Sequence, residues 1–163
     1  MIVRFAVSSD FDGIDACVAC AFDNTAEVKL IRRLRADNDV LFEYVAELAG
    51  RVIGHVMVSE LTLNPDPGLL CGGIAPLSVL PAQQAAGVGS RLMEAVLAES
   101  RSIGLDALFL LGDPAYYQRF GFRMTEVTSD YLAAYFQAYE VNDDCLLNVT
   151  AEAHYAAAFS SLG

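Results

Sequence analysis

The stretch LLCGGIAPLSVLPAQQAAGVGSRLMEAVLAESRSIGLDALFLL, residues 69–111, sets two apolar runs on either side of a glycine-rich turn and an amphipathic segment. The first run, Leu69 to Leu80, predicts a strand. Gly72, Gly73 and Pro76 interrupt it, and such residues mark a bulge or a close backbone approach, where a ligand can replace missing pairing. After Pro81, Gln84-Ala85-Ala86-Gly87-Val88-Gly89 turns into a helix that reaches about Ile103. Val88, Leu92, Val96 and Ile103 form its inner side, and Gly104 ends it. Ala107 to Leu111 predicts a short buried strand. The unit is then a right-handed crossover between parallel strands, and a site belongs at its loop.

Working outward, Ile2 to Val7 predicts a strand and Asp10 a cap for a helix over Phe11 to Phe22, with Phe11, Ile14, Val18, Ala21 and Phe22 on one face. Asn24 and Glu27 start a second helix striped by Val28, Ile31 and Leu34, with Lys29, Arg32, Arg33 and Arg35 facing water. Ala49-Gly50 joins strands Leu41 to Leu48 and Arg51 to about Leu63 as a hairpin, and residues 64–68 are a loop. Beyond the central unit come a short helix, Ala115 to Phe120, then Gly121, an edge region, and a last strand at Leu146 to Val149. There is no repeat, low-complexity tract or linker.

The chain of 163 residues is 55% hydrophobic and 19% charged, enough for one ordinary core, so a single domain over residues 1–163 is expected. With 21 acidic side chains against 10 Lys plus Arg, the net charge of -11 argues against nucleic-acid and anionic-membrane surfaces. Charged residues interrupt every apolar run short of the ~18 residues that span a bilayer. The start M-I-V-R-F-A-V-S-S-D lacks the pattern of a secretory signal, and a cytoplasmic location is expected. Cys17 and Cys20 form a C-x-x-C late in a helix, with no second pair and with His55 and His154 far away in sequence. Packing is their expected role, and no metal site is expected.

A glycine-rich turn that opens a helix offers free N–H groups and the positive end of the helix dipole to an anion. This one is not a P-loop, because Ser90-Arg91 follows the glycines without Gly-Lys-Ser/Thr. Nor is it a dinucleotide fingerprint, because Leu92 stands where the third glycine falls.

Leu77-Ser78-Val79-Leu80-Pro81 followed by Q-A-A-G-V-G at 84–89 resembles the acyl-CoA signature Q/R-x-x-G-x-G/A of the GNAT N-acyltransferase superfamily. L-G-D-P-A-Y-Y-Q-R-F-G-F at 111–122 is similar to the Y-x-x-x-G-F element of that superfamily, especially a bacterial subgroup with L-G-x-P-x-Y-Y-x-R-F-G-F. The resemblance covers about residues 1–125, with a similar tail at His154 to Phe159, whereas residues 126–145 match nothing recognisable. Two features depart from the wider superfamily: Leu110 and Asp113 stand where many members carry Asn and Ala, and Ala85 and Ala86 leave the loop without a cation.

The resemblance implies an α+β fold, a mixed, splayed sheet flanked by helices on both faces. It also implies transfer of an acetyl group from acetyl-CoA to a primary amine by direct attack in a ternary complex. Leu77 and Val79 would offer backbone groups to the thioester and pantetheine. Gln84, Ala86, Gly87, Val88, Gly89 and Ser90 would surround the pyrophosphate, and Tyr117 would be the general acid. A small amine or a lysine-type acceptor suits the acidic chain, and a homodimer is compatible with the scheme. Glu43, Glu47, Glu60 and Asp113 are the carboxylates considered as base, each expected to be an exposed carboxylate first. The competing class is a non-catalytic acyl-CoA-binding or regulatory module.

Overall fold

The computed structural model describes residues 1–162, with side chains through Ser160. Its elements are β1 (Ile2–Phe5), α1 (Phe11–Phe22), α2 (Ala26–Ala36), β2 (Val40–Leu48), β3 (Arg51–Asn64), β4 (Cys71–Val79), α3 (Val88–Ser102) and β5 (Ala107–Leu111). They continue with α4 (Pro114–Tyr117), β6 (Val127–Thr128), β7 (Phe136–Glu140) and β8 (Ala151–Tyr155). The mixed, eight-stranded sheet has the order β1-β2-β3-β4-β5-β7, and β8 pairs with both β3 and β6. The fold is α+β, as expected. No helix among the described residues is long and apolar enough to cross a membrane.

The chain forms two compact units. The first comprises residues 1–59, 75–96 and those from Ala156 onward; the second comprises residues 60–74 and 97–155.

In the first unit β1, β2 and β3 pair antiparallel, and both residues of the Ala49-Gly50 turn have positive φ, 52° and 78°, as a twisted two-residue hairpin requires. The β2–β3 register slips beside Ile53: Ala46 pairs with Gly54 but Glu47 pairs with Val52. This bulge turns Val52 and Gly54 to opposite faces. Val52 meets Gly13 of α1, while a Cβ at Gly54 would lie 2.9 Å from Val88 and 3.0 Å from Leu92 of α3. Helices thus cover both faces of the sheet.

The core of this unit contains the expected Val28, Ile31 and Leu34 stripe, together with Ile14, Val18, Val88, Leu92 and Val96. Asp10 does not cap α1. It instead accepts from the Val7 N–H at 2.8 Å and from Arg4 at 2.8 and 2.9 Å. Asn24 supplies one bond at the start of α2, accepting from the Ala26 N–H at 2.8 Å. Arg35 does not face water: it lies 3.7 Å over the Phe11 ring and grips Glu43 through two hydrogen bonds, because a guanidinium stem packs as well as pairs.

In the second unit β4 and β5 pair in parallel through Cys71–Ala107, Gly72–Leu108 and Gly73–Phe109. Their register ends at Gly73, although β4 itself runs on to Val79. A Cβ at Gly73 would strike the Tyr155 ring at 2.7 Å, so this glycine is there for close approach. The Phe109 and Phe136 rings stack in the core at 5.5 Å. Gly104 has φ +81° and ends α3 as expected, but Ile103 is exposed, one step past the helix and off its inner stripe. Residues 146–149 are not a strand. Asn148 has φ +59° in a turn, Leu147 is 67% exposed, and the strands of this region are β7 and β8.

Candidate active site

The glycine loop begins where β4 ends. Buried Pro76, Ser78 and Leu80 alternate with half-buried Leu77 and Val79, and the Leu80 N–H donates to the Ile53 carbonyl at 2.9 Å. Two tight turns follow, with the Gln83 N–H on the Leu80 carbonyl and the Gln84 N–H on the Pro81 carbonyl. The Gln84 side chain folds back, and its Nε2 donates to the Val79 carbonyl at 3.2 Å. Ala85 and Gly87 then adopt φ +62° and +84°. A Cβ at Gly87 would meet nothing within 4 Å, so the left-handed backbone, rather than crowding, favours glycine there.

The Arg91 N–H bonds the Gly87 carbonyl at 3.1 Å and begins the α3 ladder. The Val88, Gly89 and Ser90 N–H groups therefore precede the ladder and have no helical acceptor. Ala86 and Gly87 are exposed, Gly89 and Ser90 are half-buried, and Val88 is buried. The resulting cradle offers main-chain N–H groups and a helix N-terminus to an anion. Gly54 was missed as a supporting residue; its only sequence signal is a glycine inside the apolar run Val52-Ile53-Gly54-His55-Val56.

The Tyr117 element is built differently. Asp113 caps α4 through Oδ1, which accepts from the Ala115 N–H at 2.9 Å; Pro114 opens the helix, and Gly121 at φ +98° reverses the chain. The short helix expected over Ala115 to Phe120 is α4 followed by a single 3-10 turn, Gln118–Phe120. The Tyr117 ring stands edge-on to Tyr116 at 4.8 Å and to Phe122 at 6.0 Å. Its other wall is Gly112, where a Cβ would lie 2.3 Å from Tyr117 Cε2.

Among the described residues the Tyr117 hydroxyl has no hydrogen-bond partner, yet it is not sealed from solvent. Burial, reinforced by Tyr116, pushes its pKa up to about 12, so the phenol is protonated at neutral pH and can donate. Arg119 lies 4.5 Å over the Tyr116 ring, and Arg123 pairs with Glu140.

The four carboxylates considered as base differ sharply. Asp113 is occupied as a cap, and Glu47 pairs with Arg4 at 3.0 Å. Glu43 is not exposed. It sits between Arg35 at 2.8 Å and His55 at 2.9 Å. Burial pushes its carboxyl up, but bonds from His55 and Arg35 outweigh this and leave it at about 2, too weak a base at neutral pH. Burial lowers the fully enclosed His55, whose Nδ1 finds no partner among the described residues, consistent with a neutral ring donating through Nε2. Asp113 and Glu60 are both exposed, and Glu60 alone of the four makes no side-chain bond among the described residues. No group of three or more His, Cys, Asp or Glu able to hold a metal occurs among the described residues.

The cysteines are free. Cys17 is buried, and burial pushes its thiol up to about 11; Cys20 is exposed, and both line a cavity of about 290 Å³ with Gly13, Ala16, Arg51, Val52 and Leu80.

A family model described as the acetyltransferase (GNAT) family matches residues 9–122. YhbS, an uncharacterized N-acetyltransferase of Escherichia coli K12, is 33% identical over 162 residues, covering 95% of this chain and 96% of YhbS. YjhQ, an uncharacterized N-acetyltransferase from the same strain, is 30% identical over 78% of this chain and 72% of its own. The crystal structure of Escherichia coli YhbS in complex with CoA matches with a TM-score of 0.94 at 32% identity, over 99% of this chain and 93% of that one. A Brucella melitensis GNAT acetyltransferase in complex with acetyl-CoA gives 0.83 at 32% identity, over 97% of each chain. With a family match over most of its length and full-length relatives above 30% identity, the chain belongs to the GNAT family of acetyltransferases.

Proposed function

We propose that residues 1–163 act as one cytoplasmic catalytic domain that moves an acetyl group from acetyl-CoA to a primary amine. The observation that carries this reading is that one GNAT chain has both an intact main-chain anion cradle and a protonated tyrosine hydroxyl that is unbonded among the described residues. YhbS holds CoA and the Brucella protein holds acetyl-CoA. By extension, the N–H groups of residues 87–90 receive the pyrophosphate here, with Ala86 and Gln84 at its edge, and Leu77 and Val79 present backbone groups to the pantetheine arm.

The neutral amine nitrogen attacks the thioester carbonyl carbon and gives up one N–H proton to water as the amide forms, the carbon–sulfur bond breaks, and the departing thiolate takes the Tyr117 proton. The phenolate, with a pKa of about 12, regains its proton from water. A lysine-like amine is neutral in only about one molecule in 2,500 at pH 7, so it must shed a proton before attack. Glu60 is the one carboxylate of the four still free to accept it. The acidic chain favours a small cationic amine or a lysine side chain as acceptor over nucleic acid or a membrane.

The test is thiol release from acetyl-CoA across polyamines, amino sugars, amino acids and a lysine peptide, with the product weighed by mass spectrometry. One amine class should yield CoA and acetylated amine in equal amounts. Acetyl-CoA binding without turnover on any of them would make the chain a non-catalytic acyl-CoA-binding module.

A further inference from the structure

Gln137 is an anomaly in its strand. It lies between buried Phe136 and Ala138 on β7 and is itself 2% exposed, where an apolar side chain of equal size would avoid the cost of burying an amide. Its Nε2 donates to the Gly112 carbonyl at 2.9 Å and to the Tyr135 carbonyl at 3.3 Å. The Gly112 N–H donates in turn to the same Tyr135 carbonyl at 3.0 Å. Both peptide groups of Gly112 are therefore tied to the β7 edge, just past the last β5–β7 register pair, Leu111–Phe136. Gly112 is also the wall of the Tyr117 ring, and no side chain fits between them.

We propose that Gln137 is a positioning residue for Tyr117: by fixing the Gly112 backbone from behind, it sets where the tyrosine hydroxyl stands relative to the reacting thioester. This rests on the reading of Tyr117 as general acid. The amide does not touch the cofactor or the acceptor; it acts through Gly112. A general acid loses most of its effect when displaced by about 1 Å, so a residue that holds its wall matters to chemistry and not to cofactor affinity.

The test uses Gln137→Met, which keeps the volume but loses both donated bonds, and Gly112→Ala, which leaves Gln137 untouched and pushes the ring directly. Both are made in the parent and in a Tyr117→Phe background, with the best amine of the panel and under single-turnover conditions, where chemistry is read without product release. Each single change should lower the transfer rate about 10- to 100-fold while leaving the acetyl-CoA KM within about threefold. In the Tyr117→Phe background the same changes should cost less than about threefold, because the hydroxyl they position is already gone.

A folded Gln137→Met protein with the parental rate overturns the inference, as does a loss that is fully retained on Tyr117→Phe. If both variants fail to fold, the bonds serve stability alone and the inference is likewise overturned. A parental rate in Tyr117→Phe itself removes the general-acid reading first, which separates that failure from this one.

Discussion

In the proposed mechanism the work around Gly87 falls to the main chain: three N–H groups ahead of the α3 ladder, turned by two left-handed residues, with alanines for side chains. Around Tyr117 the same mechanism assigns it to one hydroxyl, placed by rings on one side and by a residue without a side chain on the other. The cradle tolerates many side chains provided that the backbone keeps its shape and no negative charge enters. On the proposed mechanism the tyrosine tolerates no substitute that lacks a proton to give, and its ring packs against residues spread over 112–122. Binding and chemistry should therefore fail separately when each region is broken.

The largest effect is expected at Tyr117. Tyr117→Phe should keep the fold and acetyl-CoA affinity while lowering kcat about 10²- to 10⁴-fold, the usual range for a general acid. A hydroxyl with only a structural role would cost about 1 kcal/mol of stability and leave turnover in place. The mirror image is Gly87→Asp, which adds a carboxylate to the cradle at a backbone φ of +84°. It should weaken acetyl-CoA by at least about tenfold, and Gly87→Ala, strained but uncharged, should weaken it less.

The two regions were not equally legible in the sequence. The glycine turn and the start of α3 could be read because their residues are contiguous, at 84–90, and the bounds of α1 and β5 follow directly from apolar spacing and turn residues. The supports of Tyr117 could not. Gln137 reaches Gly112 across 25 positions, and no local pattern announces that a ring lies on that glycine. The late strands were hidden for a different reason. In β8 the inward residues are Ala151 and Ala153, too small to stand out, while Leu146-Leu147 looked like a strand although Leu147 points to water. Arg35 misled because its charge argues for the surface, whereas its stem and its two bonds to Glu43 hold it down.

Outside both regions, changes should move stability and leave turnover alone. The Arg4 bonds hold the Asp10 carboxyl down at about 2, below its usual 3.8, so its contribution is present above about pH 4 and is lost as pH falls through about 2. With the partly exposed Arg4 discounted, this is on the order of 1–2 kcal/mol. His55 adds an earlier loss, since the unfolded chain takes up a proton below about pH 6.5 that the buried ring resists. Urea unfolding between pH 8 and 2 should show a gentle decline and then a steeper one, and Asp10→Asn should flatten the second.

The smallest effects belong to the thiols. Cys17→Ala should cost about 1 kcal/mol for a buried sulfur and exposed Cys20→Ala less than about 0.5 kcal/mol, with the transfer rate unchanged for both. Loss of turnover in either folded variant would bring the C-x-x-C into the chemistry.

Isothermal calorimetry of acetyl-CoA binding to the parent, Gly87→Asp and Tyr117→Phe, side by side, tests the division between cradle and acid most directly. Tyr117→Phe should bind within about threefold of the parent, because its ring remains and only the proton donor is gone, while Gly87→Asp should bind at least about tenfold more weakly. Parental affinity in a folded Gly87→Asp protein, or a matching collapse of affinity in Tyr117→Phe, would contradict the account.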